Sequence, residues 1–294
     1  MLLAVSCAPL HTSRSGQVAT DLICCGWDEV FIIRSVNDTT RKWTWRASDS
    51  TAIPTEAHPW FQTTDECKPL GKFILITSSS GGVALVRRDD RHCSFYTYAR
   101  NAHSACLLPD ERIAVASSTG GDELLVFDLN HSGAEVEPLA RMVLKGAHGA
   151  HWDSRRARLW ALGSEELLLV QVKGTIAVTT LEVNRRWNLP TDSGHDLFPC
   201  RDPRFLFVTS GTHVYRFDTE TGRFALDDAL GETPRVKSVD QHAGTGSLVY
   251  HQATVEHWWS DTIRFAGSER TIALPGERLY KVRWDVPRMG PESP

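Results

Sequence analysis

Three histidines recur at a nearly constant interval, His103, His148 and His195, 45 and 47 residues apart. Neutral imidazole offers a nitrogen lone pair at physiological pH, so rings converging from successive repeats would bind a divalent metal. The expected cofactor is Mn, Zn or Ca, or none, with His103, His148 and His195 as the metal-ligating set. A single histidine more often only hydrogen-bonds its surroundings. Three at one register carry more weight.

The same register can be read in the other repeats. It falls on Asp65 or Glu66 early in the chain, on Lys237 or Ser238 with Arg235 beside it, and on Arg278 or Tyr280 near the end. Asp65, Glu66, Lys68 and Tyr280 are expected to bind substrate, although Glu66 and Lys68 also read as a plain salt bridge. His151, three residues after His148, is the candidate base, and Lys237 and Arg235 would neutralise an acidic substrate. His242 continues the arithmetic but lies at the far end of its strand, which makes it a second choice. Ser104 beside His103 is adjacency in sequence and defines no triad. The Gly-Gly pairs sit between strands, so they are hairpin turns and not phosphate cradles.

The elements that must position these residues are short strands. Residues 101–129 read as a complete unit, with strands at 104–108, 112–117 and 124–129 separated by Pro109-Asp110-Glu111 and Gly120-Gly121. Units beginning near residues 20, 64, 102, 147, 194 and 236 repeat it, and the stretches SSSGGVALV and SSTGGDELLVF are near copies. A period of this size with three or four strands per unit is the signature of a radial array. The first unit lacks an inner strand, and a lone strand at 278–284 closes the chain. The expected fold is therefore all-β, a six-bladed β-propeller closed by its C-terminal strand. A seventh blade would have to come from 47–63, where Pro54 and Pro59 argue for a loop. The propeller would span 19–287, with 1–18 a possible signal or lipoprotein remnant and 288–294 a disordered tail.

Composition narrows the partners. With 32 basic and 36 acidic residues in 294, the charge balance gives no reason to expect nucleic acid, whose phosphate backbone wants a concentrated basic face. No apolar run is long enough for a membrane-spanning helix. The seven cysteines contain no C-x-x-C pair, and Cys24-Cys25 lies in an apolar run, so buried thiols are expected. The ten tryptophans suit packing between sheets, or a surface on which sugars stack. The opening MLLAVSC resembles the end of a lipoprotein signal but lacks a basic n-region, so an extracytoplasmic location is an expectation with the cytoplasm still open.

Cys25-Gly26-Trp27-Asp28-Glu29-Val30, Thr64-Asp65-Glu66-Cys67-Lys68, Asn101-Ala102-His103-Ser104 and Gly146-Ala147-His148-Gly149 together resemble an uncharacterised bacterial β-propeller family, a domain of unknown function. The resemblance implies the fold and no established activity. The layout of histidines at a channel mouth is similar to that of oligogalacturonate lyases, which implies a metal-dependent lyase on acidic sugars. The alternative is a non-catalytic propeller that binds a glycan or small ligand, as a monomer. A scaffold of the WD-repeat kind ranks last, because Gly-His and Trp-Asp pairs do not recur at blade positions.

Overall fold

Apolar runs such as Leu22–Gly26, Arg112–Ser117 and Ile74–Ser78 are buried along their whole length, on both faces. A strand hidden on both sides needs a packed sheet against each face, which radial stacking supplies. The computed structural model describes residues 21–35 and 37–286, and within them forms six antiparallel sheets of four strands. The sequence stretches 1–18 and 288–294 lie outside the described residues.

Alternate side chains of one sheet face opposite neighbours, and each of the six blade interfaces has its own apolar core. Ile23, Cys25, Val30 and Ile32 of the first blade pack with Cys67, Ile74 and Ile76 of the second. Leu22, Cys24, Phe31 and Ile33, on the opposite face, pack with Val249, Ile263 and Ile272 of the sixth. The described cysteines are all buried free thiols, as the apolar context of Cys24-Cys25 suggests.

The inner strands are Thr64–Leu70, Ala102–Leu108, Gly149–Asp153, Asp196–Pro199, Val236–Gln241 and, in the first blade, Lys281–Trp284. That last strand pairs with Leu22–Gly26 in antiparallel register, Leu22 opposite Trp284 and Cys25 opposite Lys281. The C-terminal strand thus completes the N-terminal sheet and closes the ring. Gly26 permits it, because a Cβ there would lie 2.1 Å from the Arg278 carbonyl oxygen. Residues 47–63 form no blade; two short 3-10 helices, Ala47–Asp49 and Thr55–Phe61, drop Phe61 against Trp45 and over Gly82.

The closing strand also carries two cations into the axis. Lys281 Nζ reaches Glu66 Oε2 at 3.1 Å and Asp196 Oδ1 at 3.0 Å. The Arg283 guanidinium spans Glu66 and Asp196, its Nη2 lying 3.1 Å from Glu66 Oε1 and 2.7 Å from Asp196 Oδ1, and it stacks on Phe198. Lys68 Nζ spends its donors on Ser104 Oγ, Ala105 O and Ala150 O. Burial works to raise both carboxyl pKa values, but Arg283 and Lys281 outweigh it and hold them below the usual carboxylate range. Glu66 and Lys68 are therefore part of the plug that blocks the channel, not substrate ligands.

Removing one member of such a network strands the opposite charges out of water. Arg283→Met is expected to lower the unfolding free energy by about 3–5 kcal/mol in urea denaturation. A loss under about 1 kcal/mol, the scale of a surface pair, would show that the plug does not hold the ring closed.

Candidate functional site

Each inner strand begins with an irregularity. In three blades the ladder skips one residue: Asp65 falls between Thr64 and Glu66, His103 between Ala102 and Ser104, and Lys237 between Val236 and Ser238. In the other three, the residue just before the strand donates its N–H to the carbonyl of the first or last paired partner: His148 to Leu162, His195 to Thr209 and Tyr280 to Cys25. Such bulges re-aim a side chain that regular pleating would send into a blade interface. Here they put one residue per blade, Asp65, His103, His148, His195, Lys237 and Tyr280, around one mouth of the channel. These six line a cavity of about 310 Å3 together with Ser79, Asn101 and Trp258.

The histidines form a run of touching rings. Centroids of His103 and His148 are 4.2 Å apart, those of His148 and His195 5.2 Å, and Tyr280 meets His103 edge-on at 5.9 Å. His103 Nδ1 lies 3.2 Å from the Asn101 carbonyl, and His148 Nδ1 lies 2.8 Å from that of Gly146 and 3.0 Å from Ser118 Oγ. A carbonyl only accepts, so we assign the proton of each neutral ring to Nδ1, which leaves Nε2 as an acceptor. Burial lowers all three imidazole pKa values, His148 to about 4, so the rings are neutral at physiological pH.

His195 is committed differently. Its Nε2 sits 3.0 Å from Lys237 Nζ, which donates to it, and its Nδ1 is buried with no hydrogen-bond partner among the described residues. Its Nε2 lone pair therefore accepts from an amine in this structure. Among the described residues no group of three or more His, Cys, Asp or Glu is disposed to hold a metal ion. The three imidazoles do converge as their spacing implies, but two of them, not three, present a free acceptor.

Asp65 and Lys237 supply the ionisable groups. The Asp65 carboxylate accepts the Ser79 N–H, yet burial raises its pKa to about 7. Burial, reinforced by the Lys281 charge, brings Lys237 down to about 8, and its Nζ lies 5.7 Å from the centre of the Tyr280 ring. A carboxyl and an amine both brought toward neutrality in one cavity make it the candidate functional site.

Sequence reasoning missed the aromatic wall. Trp258, 41% exposed, stacks on Trp27, 39% exposed, at 5.9 Å and touches Tyr280 at 5.6 Å. Arg278 lies over the Trp27 ring. Trp27 occupies the first position of a two-residue hairpin turn with φ 55°, a conformation that disfavours a bulky side chain. A strained, exposed tryptophan in a turn position that suits glycine was the available signal.

Three candidates from the sequence are elsewhere. His151 lines a separate cavity of about 380 Å3 with Trp152, Pro199, Gln241 and Trp284, so it is not a base for the ring pocket. His242 lies near that end too, packed on Trp284 and accepting from the Gly244 and Thr245 N–H groups. Arg235, just ahead of the inner strand of the sixth blade, turns its Nε to the Ala253 carbonyl and does not line the ring pocket. Regular two-residue alternation carries position 151 past the bulge and down the strand, away from His148.

Fold and site together define a six-bladed β-propeller with a blind, histidine-lined pocket at one end of its axis. The chain belongs to the family described as Family of unknown function (DUF6528), whose model matches residues 24–289. No curated protein matches it. Among solved structures it is similar to the β-propeller domain of Cps50 (Swd1) from Myceliophteria thermophila. That match has 12% identity and a TM-score of 0.55, covering 85% of this chain and 81% of that one. A likeness at this identity shows the fold alone.

Asp65 ties the pocket to pH. Its raised value means that its contribution to stability is complete below about pH 4 and is lost as the pH rises through about 7. The histidines work oppositely, since their lowered values give stability that is lost as the pH falls. Asp65→Asn should remove a decline of up to about 1.4 kcal/mol per pH unit, read as the difference between wild-type and variant urea curves from about pH 5 to about pH 7. A difference that is flat over that range would mean that Asp65 ionises normally.

Proposed function

We propose that this propeller binds a saccharide, with one ring of the ligand held in the axial pocket. The observation that carries this reading is the pairing of two fixed acceptors, Nε2 of His103 and His148, with an exposed aromatic face on Trp258. A sugar ring needs hydroxyl acceptors on its edge and an apolar platform under its C–H face. The Lys237 ammonium adds a donor for a ring oxygen or a carboxylate, which favours acidic sugars. The cavity volume falls in the range of small-ligand sites, and the plug of Glu66, Asp196, Lys281 and Arg283 gives it a floor.

Isothermal titration calorimetry with neutral and acidic mono- and oligosaccharides tests the reading. Binding is expected, with Trp258→Ala and the pair His103→Ala/His148→Ala each weakening it about tenfold or more. It should survive a chelator, because the histidines act as acceptors; loss on chelation would instead assign the two Nε2 atoms to a divalent metal. No response from any sugar up to about 10 mM would sink the proposal.

A further inference from the structure

The axis holds three lysines, and two of them are fully engaged. Lys68 donates three hydrogen bonds in the plug, and Lys281 holds Glu66 and Asp196. Lys237 differs. It lines the pocket, its Nζ touches one acceptor, His195 Nε2 at 3.0 Å, and no carboxylate forms an ion pair with it among the described residues. We propose that Lys237 captures carbonyl compounds, its amine forming an imine with an aldehyde or ketone presented in the ring pocket.

The surroundings fit that step. An amine becomes a nucleophile when it is desolvated beside a second cation, and Lys237 is buried with Lys281 raising the local potential. The groups facing it are His195, Asp65 and Tyr280 of the ring, Lys281 below and His251 of its own blade. None but Asp65 is an anion, so nothing close holds the amine in its charged form once Asp65 is protonated. In the free amine one N–H is donated to His195, which turns the lone pair away from that imidazole. The buried, unpartnered Nδ1 of His195 shows that the ring is held in this contact at the expense of its own second hydrogen bond.

In the reaction, the Nζ lone pair attacks the carbonyl carbon. The C=O π pair moves to oxygen, which takes a proton from Asp65. The ammonium nitrogen of the adduct returns a proton to the Asp65 carboxylate. Asp65 then protonates the carbinol hydroxyl, which leaves as water as the nitrogen lone pair forms C=N. No oxidant or reductant is consumed. The open-chain aldehyde at the reducing end of a sugar belongs to the class of carbonyl taken, so the inference rests on the saccharide reading while adding a covalent step to it.

The full chain is incubated with glyceraldehyde and cyanoborohydride, which reduces an imine to a stable amine, and labelling is read residue by residue by peptide mass. Lys237 is expected to label at least about tenfold faster than the exposed Lys72 and Lys145, with a rate that peaks between about pH 7, where Asp65 gives up its proton, and about pH 8, where Lys237 gives up its own. His195→Phe should slow labelling at Lys237 and leave Lys72 and Lys145 unchanged. Labelling of Lys237 no faster than the exposed lysines overturns the inference. Sugar binding measured by calorimetry on the same preparation separates the two failures: if it persists, only the covalent step is lost, and if it is absent, the saccharide reading falls with it.

Discussion

The structure depends on four buried charges. Lys281 and Arg283 of the closing strand meet Glu66 of the second blade and Asp196 of the fifth on the propeller axis, all with side chains at most 1% exposed. Taking such groups out of water is expensive, and it is offset only by close geometry and a nearly complete set of hydrogen bonds. The contact therefore specifies one arrangement: the C-terminal strand in its register, and opposite blades at a fixed separation. A slip of one residue along that strand would send Lys281 and Arg283 into the apolar interfaces that Val282 and Trp284 now fill. The same plug turns an open channel into a blind pocket, so ring closure and the site share one cause.

Above the plug, a repeated backbone device carries six residues of varied chemistry. Every blade begins its inner strand with a bulge or an extra residue, and that position holds an acid, three imidazoles, an amine and a phenol in turn. Regular repeats give the site its geometry, and the break in side-chain type gives it direction. Acceptors line one arc, Lys237 stands at its end, and Trp258 and Tyr280 form the wall. Burial then sets the protonation states. It keeps the histidines neutral, and it brings Asp65 and Lys237 toward neutrality from opposite directions.

Membership of a family of unknown function and likeness to a distant propeller fix the architecture and leave the chemistry to the site itself. The contact between Lys237 and His195 is the most informative detail there. It engages the Nε2 of one imidazole and, in the same stroke, orients an amine.

The sequence by itself determined the blade count, the closing strand and the register of the ring. Turn residues recur at a fixed period, and inner and middle strands are buried on both faces, so their apolar runs stand out. Outer strands such as Ala140–Val143 and Arg223–Leu226 were not legible, because exposed edges carry mixed residues with weak alternation. Spacing alone singled out His103, His148 and His195 and narrowed the other positions to Asp65 or Glu66, Lys237 or Ser238, and Arg278 or Tyr280, since each blade repeats one backbone position; the structure chose Asp65, Lys237 and Tyr280. Only the tertiary structure decided which neighbours share their fate. Strand position separates His148 from His151, the bulge at Asp65 sends Glu66 and Lys68 to the plug, and strands distant in sequence place Lys237 on His195 and Trp258 on Trp27. Those contacts join different blades, so their geometry exists only once the ring has closed.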